Sequence, residues 1–340
     1  MTFNTPIHVG LFKRLLRNHT AISRPDYDTG ETGFSFYSEG THPRETRKEM
    51  PRAALVHATS IIRVFETIIW ANVYVWCVMA EQTQAKNPVK GVERAFHILE
   101  TIEEHNGLRL TDAAAEVNLA RSTTHRYLKT LEAMGYLYQD GNQYKLSHRF
   151  LRFASHVRTR DPRYGLIEEK VEQLAQETGE LVQFIIAEHG QAIYVLQATG
   201  ENGVQINTKI GKSDPVHTTA AGKAILSTWS RDEVSEFIDT YGLAKLTSQS
   251  ITTEAELFDE LDQVRAQGYS VNNQENVEGL KAVSVPITGA GENTLGALSV
   301  SGPTHRMKGD WFTGELPDLL LGISNELELN FRYLEKMDSK

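Results

Sequence analysis

The sequence has a single cysteine, Cys77, among its 340 residues. One thiol cannot form an intramolecular disulfide, and it cannot build a cysteine-rich zinc site. This usage is typical of a reducing compartment, so we expect a cytoplasmic protein. Nucleophile elbows, phosphate-binding loops, HExxH pairs and Cys/His pairs are also missing from the sequence. We therefore expect no catalytic residue, no metal site and no cofactor.

Long hydrophobic runs are scarce as well. The most apolar stretch is residues 53–80, and Arg63 and Glu66 interrupt it. The uninterrupted run after Glu66 has 14 residues, whereas a membrane-spanning helix needs about 20. Three interpretations stay open: a membrane helix, a packed helix, or a misplaced start with Met79 as the true first residue. Residues 1–85 are accordingly predicted to be a poorly ordered N-terminal extension, and with a misplaced start residues 1–78 would not belong to the natural product.

The net charge of −9 is unevenly distributed along the chain. Residues 86–150 hold 9 Lys/Arg and 8 Asp/Glu, whereas residues 151–340 hold 17 and 28. Because a local basic face decides phosphate binding, the first of these segments can still bind nucleic acid. The acidic second segment argues against another nucleic-acid surface. The length fits two ordinary domains.

Residues 86–147 have the element order of a winged helix-turn-helix domain. A helix is predicted over residues 89–105, with an apolar face formed by Val92, Ala95, Phe96, Leu99 and Ile102. The segment LTDAAAEVNLARSTTHRYLKTLEAMGYL then contains a short helix, a turn at Asn118 and a second helix. The run GYLYQDGNQYKL places an Asp-Gly pair between two strand-like segments, which predicts a hairpin wing.

The second helix of this motif is predicted to read DNA. Thr124, Tyr127, Leu128 and Leu131 share its inward face. Since the N-terminal residues of such a helix reach base edges, the outward residues there become candidates for base contact, and Lys129, Lys145 and Arg149 suit phosphates. The predicted DNA-binding residues are Arg121, Ser122, Thr123, His125, Arg126, Lys129 and Lys145. The alternative is a solvated polar helix face without function.

Beyond the wing, the sequence predicts a linker helix at residues 148–161, which Asp161-Pro162 breaks. In residues 162–338, helical and strand periods alternate, and a hairpin is expected where LVQFIIA is followed by AIYVLQA. An antiparallel sheet with helices packed on it fits this order, so the predicted fold class is α+β.

Four ordered blocks resemble the IclR family of bacterial and archaeal transcriptional regulators, over residues 89–334. They are LTDAAAEVNLARSTTHRYLKTLEAMGYL, VHTTAAGKAIL, GYSVNNQENVEGLKAVSVPI and GALSVSGP. The resemblance implies a winged helix that dimerises, a linker helix and a GAF-like effector-binding domain. It also implies a homodimer or a tetramer made of two dimers, and a small organic or aromatic acid as effector.

An anion site is expected where residues 218–223 open a helix, because free N–H groups at a helix N-terminus favour a carboxylate. The resemblance also implies that polar side chains from two later strands line this anion site. Two apolar residues could form one wall of the site. The predicted effector-binding residues are Val204, Ile206, Ala220, Ala221, Asn272, Asn273, Ala282, Ser299 and Ser301. The chain departs from the family pattern in having Ala-Ala for Gly-Ala, Asn-Asn for an acidic pair, and Ala282 at a cysteine-type position. Tight helix packing is the alternative explanation for the small residues.

The expected function is a sequence-specific, DNA-binding transcriptional regulator, such as a repressor, controlled by a small carboxylate metabolite. Its expected partners are a double-stranded DNA operator, the effector and further copies of the chain. Two alternatives stay open. One is an enzyme built on the C-terminal domain, using Glu275 and Glu278, and the other is a membrane-tethered regulator using residues 53–80.

Overall fold

The computed structural model describes residues 87–203, 209–289 and 294–338. The apolar stretch at residues 53–80 and the two wall residues Val204 and Ile206 lie outside the described residues. Within the described segments, no helix is both long and apolar enough to cross a membrane.

Residues 87–149 form the winged helix-turn-helix domain. Its elements are α1 (Lys90–Glu104), β1 (Leu108–Arg109), α2 (Leu110–Glu116), α3 (Arg121–Ala133), β2 (Leu137–Asp140) and β3 (Gln143–Leu146). The strands form a sheet in the order β1-β3-β2. Asp140 pairs with Gln143, so Gly141 and Asn142 make the turn of the wing, with a positive φ of 60° at Gly141. Between α2 and α3, Asn118 adopts a φ of 50°, as the sequence predicted for this turn.

The core of this domain uses only part of the predicted face of α1. Leu99 and Ile102 are buried and pack with Leu128 of α3. Val92 and Phe96, in contrast, are 54% and 58% exposed, so the predicted apolar face extends beyond the core of the domain. The physical reason is length, because the first turns of α1 extend past the small hydrophobic cluster that covers its second half.

The C-terminal domain follows a linker helix, α4 (Phe150–Thr159). Its helices are α5 (Arg163–Thr178), α6 (Ala220–Leu226), α7 (Arg231–Tyr241), α8 (Glu254–Gln267) and α9 (Leu316–Asp338), with a 3-10 turn at Val216–Thr218 and a π-helical turn at Trp311–Glu315. Its strands are β4 (Leu181–Glu188), β5 (Gln191–Thr199), β6 (Ser213–Pro215), β7 (Ser270–Asn273), β8 (Leu280–Thr288) and β9 (Thr294–Pro303). The sequence did not predict β6 or the 3-10 turn, since both are three residues long.

An antiparallel sheet in the order β6-β5-β4-β9-β8-β7 has helices on both faces. One face packs against α5 and α9, and its core contains Val182, Phe184, Val300, Leu320 and Phe331. The other face packs against α6, α7 and α8, and its core contains Ile185, Tyr194, Ala224, Phe237 and Leu257. The predicted α+β class is confirmed, since one antiparallel sheet has helices on both faces, as in a GAF-like domain.

The 3-10 turn and α6 approach each other closely at Gly222. A Cβ atom on this residue would lie 1.8 Å from the carbonyl oxygen of Val216. The Thr219 hydroxyl accepts a hydrogen bond of 2.9 Å from the Gly222 N–H, which caps the helix. Glycine is therefore required here by the lack of space and not by its backbone angles.

Gly222→Ala is expected to destabilise the protein by about 1–3 kcal/mol or more, because a backbone atom must move to admit the methyl group. Gly165→Ala is the matched control, since an added Cβ in α5 meets nothing within 4 Å. That control should raise stability by up to about 1 kcal/mol. Urea unfolding of both variants tests this, and equal stabilities would contradict the steric argument.

Candidate functional site

The reading helix α3 divides into a packed and an open face as the sequence predicted. Thr124, Leu128 and Leu131 are buried. Of the predicted DNA-binding residues on this helix, Thr123 is half-buried. The others are exposed, namely Arg121, Ser122, His125, Arg126 and Lys129. Lys145 is half-buried on β3 of the wing. The helix therefore presents a continuous polar face whose side chains can reach into a groove.

Each of the two lysines on this surface pairs with a neighbouring acid. Lys129 Nζ lies 2.7 Å from a carboxylate oxygen of Glu132, and Lys145 Nζ lies 2.7 Å from one of Asp140. Exposed pairs of this kind contribute little stability. A DNA phosphate can replace either acid at small cost.

Arg149, which the sequence analysis named as a candidate phosphate contact, makes contacts within the domain instead. Its guanidinium donates a hydrogen bond to the carbonyl oxygen of Met134, at the C-terminal end of α3. It also lies 4.9 Å from the centroid of the Tyr136 ring. Arg149 thus caps the end of the reading helix that is farther from the predicted base contacts.

In the C-terminal domain, a cavity of about 50 Å³ lies between the sheet and the start of α6. It brings together six of the predicted effector-binding residues: Ala220, Ala221, Asn272, Ala282, Ser299 and Ser301. Asn273 does not line it and is exposed, because successive residues of a strand point to opposite faces. The remaining lining includes Gln183, Tyr194, Asp214, Thr219, Asn276 and Leu280.

The polar groups of the cavity differ in how far they are already paired. The Ser301 hydroxyl is buried and has no hydrogen-bond partner in the described residues. The Ser299 hydroxyl makes a long contact of 3.5 Å with the Val283 carbonyl. Thr219 caps the third N–H of α6, and the first two N–H groups, from Ala220 and Ala221, have no intrahelical acceptor.

The Asn272 side chain, in contrast, is fully engaged. Its Nδ2 donates to the Thr218 carbonyl at 2.6 Å and to Asn276 Oδ1 at 3.2 Å. Its Oδ1 accepts a hydrogen bond of 3.0 Å from the Glu275 N–H. Asn272 therefore positions the loop after β7 rather than offering a free group to a ligand.

Tyr194 and Asp214 are among the cavity residues that the sequence analysis missed. The Tyr194 hydroxyl donates a 2.6 Å hydrogen bond to Asp214 Oδ2. Burial raises the pKa of the Asp214 carboxyl, against the opposing effects of Tyr194, Lys212 and Asn276. Burial also raises the pKa of Tyr194 well above its usual value. The local signal for Asp214 is limited to a turn-like Asp-Pro pair with Pro215.

A buried charged cluster lies beside the cavity. Lys223 is 1% exposed, and its Nζ lies 2.7 Å from a carboxylate oxygen of Glu260 and 2.7 Å from one of Glu275. Burial raises the pKa of Glu275, although Lys223 opposes this. Burial also lowers the pKa of His217 to about 4, and its Nε2 lies 3.0 Å from the Ala244 carbonyl.

Comparison with known proteins accounts for both halves of the molecule. A family model described as the IclR helix-turn-helix domain matches residues 91–141, and one described as the bacterial transcriptional regulator IclR C-terminal domain matches residues 165–327. The chain belongs to the IclR family. It is therefore a helix-turn-helix DNA-binding transcriptional regulator with an effector-binding domain, and not an enzyme.

Curated relatives support the assignment over most of their own length. The acetate operon repressor of Salmonella typhimurium is 30% identical over 249 residues, which cover 72% of this chain and 90% of the relative. The probable HTH-type transcriptional regulator ArcR of Halobacterium salinarum is 29% identical over 245 residues, or 71% of this chain and 93% of the relative. The crystal structure of IclR from Thermotoga maritima has the same fold, with a TM-score of 0.62 at 24% identity, covering 72% of this chain and 99% of that one.

The low pKa of His217 predicts a specific loss of stability in acid. In the unfolded chain this imidazole is protonated near its usual pKa of 6.5, whereas the folded protein keeps it neutral down to about pH 4. Stability should therefore fall by about 3 kcal/mol as the pH drops from 6.5 to 4. His217→Gln keeps a donor for the Ala244 carbonyl and should lose this part of the pH dependence.

Urea unfolding at several pH values measures the effect. His305→Gln is the control, because His305 is exposed on the surface. If His217→Gln and the unmodified protein lose stability equally between pH 6.5 and 4, the explanation by burial is wrong.

Proposed function

We propose that this IclR-family protein acts as a repressor that binds an operator through α3 and the wing, and that a small carboxylate in the cavity beside α6 controls the binding. The observation that carries the effector part is the buried Ser301 hydroxyl without a partner. A buried polar group left unpaired costs free energy, so a ligand that accepts its hydrogen bond is favoured. Because the protein binds DNA, we place it in the cytoplasm.

The chemistry around Ser301 favours an anion that accepts hydrogen bonds. Ala220 and Ala221, whose N–H groups have no intrahelical acceptor, line the same cavity, and Ser299 supplies a second hydroxyl with only a long contact. Carboxylate oxygens accept such bonds more strongly than neutral acceptors do. The cavity volume of about 50 Å³ favours a small ligand.

We also infer that the protein is a homodimer or a tetramer of dimers, as the family resemblance implied. Val92 and Phe96 of α1 are exposed large apolar side chains, and so are Leu151 and Val157 of α4. Helix α4 has no buried residue at all, although its sequence is amphipathic. Pairing with a second copy would cover these side chains and align two reading helices with two halves of an operator.

The DNA assignment predicts different effects for two residues of α3. Arg126→Ala should weaken binding to the operator by about 1–3 kcal/mol and relax the sequence preference at one position. Lys129→Ala should weaken binding to all sequences. It should also reduce the number of counterions released on binding by about one, which lowers the slope of the salt dependence. Footprints on the DNA upstream of the protein's own gene, at several salt concentrations, measure both effects.

Arg332→Ala is the matched control, because Arg332 is an exposed arginine of α9 in the other domain. It should bind like the unmodified protein, and a dimer should protect two half-sites. Unchanged affinity in Arg126→Ala would show that α3 does not read bases through this residue.

The effector assignment predicts that Ser301→Ala separates stability from ligand binding. Because the hydroxyl lacks a partner, its removal should leave stability unchanged or slightly raised, while the affinity for small carboxylates falls about tenfold. Ser324→Ala is the control, since the Ser324 hydroxyl donates to the Pro286 carbonyl at 2.9 Å. That control should lose about 1 kcal/mol of stability and no ligand affinity.

Titration calorimetry with acetate, propionate and succinate, and with their hydroxylated counterparts glycolate, lactate and malate, measures the affinities. Urea unfolding measures the stabilities. If Ser301→Ala binds these acids as tightly as the unmodified protein does, Ser301 is not an effector contact.

A further inference from the structure

The acid Asp214 gives the cavity a group that a plain carboxylate ligand does not need. Its carboxyl lines the cavity together with Tyr194, whose hydroxyl donates to Oδ2 at 2.6 Å. The Asn276 side chain also hydrogen-bonds to it. Both partners are neutral, and the nearby cation Lys212 has its side chain on the exposed surface.

The position of Asp214 in the sheet separates it from the unpaired hydroxyl. Asp214 is on the edge strand β6, and Ser301 is on β9, with β5 and β4 between them. The two groups therefore approach the cavity from different strands, one as an acceptor and the other as a donor. Both groups line the same cavity, so a ligand long enough to reach from one to the other meets both an acceptor and a donor.

The acceptor restricts which acids can bind well. A carboxylate without a hydrogen-bond donor would leave the spare lone pairs of the Asp214 carboxyl facing the ligand without a partner. An acid that carries a hydroxyl can instead donate its hydrogen to Asp214. Sites that hydrogen-bond a ligand hydroxyl discriminate strongly against the analogue that lacks it.

We propose that the effector is a hydroxy acid, a small carboxylate whose hydroxyl donates a hydrogen bond to the Asp214 carboxyl. This inference rests on the proposed effector site and specifies the ligand class of that site. Asp214 is then a specificity-determining residue, and Tyr194 and Asn276 are positioning residues that orient its carboxyl. The raised pKa of Asp214 supports the assignment, since a buried carboxyl with no paired cation gains from a further donor.

Matched pairs of acids test the proposal by titration calorimetry on the full chain. The pairs are glycolate and acetate, lactate and propionate, and malate and succinate, with pyruvate and alanine as the oxo and amino analogues of lactate. In the unmodified protein we expect the hydroxylated member of at least one pair to bind ten or more times tighter than its partner. Pyruvate should bind as weakly as propionate, because neither has a donor.

Two variants assign the preference to Asp214. Asp214→Asn replaces one acceptor oxygen with a donor, and Asp214→Leu removes both oxygens. In each, the ratio of the affinities within a pair should fall to less than about threefold. Since this ratio compares two ligands on one protein, a general weakening of the pocket does not mimic the effect. If neither variant folds, the affinity ratios of the matched pairs on the unmodified protein still decide whether the site prefers a hydroxy acid.

The remaining outcomes separate this inference from the proposed function. Equal affinities within every pair would overturn the hydroxy-acid assignment and leave the carboxylate effector intact. Tighter binding of alanine than of lactate would overturn the hydroxy-acid assignment and indicate that Asp214 pairs with an ammonium group of the ligand. If no acid of the panel binds, the carboxylate effector itself is rejected and the hydroxy-acid assignment with it, while the DNA-reading role of α3 is unaffected.

Discussion

The burial of the Lys223 ammonium group is the constraint on which the cavity beside α6 depends. Its two carboxylate contacts, to Glu260 on α8 and to Glu275 in the loop after β7, join three separate parts of the domain. Removing one partner would leave another charge buried without compensation. From Glu275 a series of hydrogen bonds continues through the loop and into the cavity lining, by way of Asn272, Asn276, Asp214 and Tyr194. The orientation of the cavity acid is thus linked to a charge pair that does not line the cavity.

Much of the fold was predictable because its signals are local. The inward stripe of α3 follows the helical period, and Asn118 tolerates the left-handed turn before it. The exposure of Val92 and Phe96 was not predictable, since periodicity gives the direction of a helix face but not how far a neighbouring core extends along it. A β-bulge on β5 at Val195 likewise breaks the alternation of the strand.

The proposed effector site was predictable only in part, for a related reason. The alternation of Ser299 and Ser301 placed both on one face of β9, and the structure has both in the cavity lining. The same alternation allows only one of Asn272 and Asn273 to face the cavity, and strand register decides which one. Asp214 depends on the pairing of a three-residue strand with β5, which no local pattern in the sequence encodes.

The linker helix α4 has a consequence for how the protein responds to its own abundance. A ten-residue helix with no buried residue is marginally stable by itself in water, so its order must come from packing against another surface. If that surface is a second copy, the helix forms in proportion to association, and mass action governs it. The linker between the effector-binding and DNA-binding domains would then become more rigid as the cellular concentration of the regulator rises.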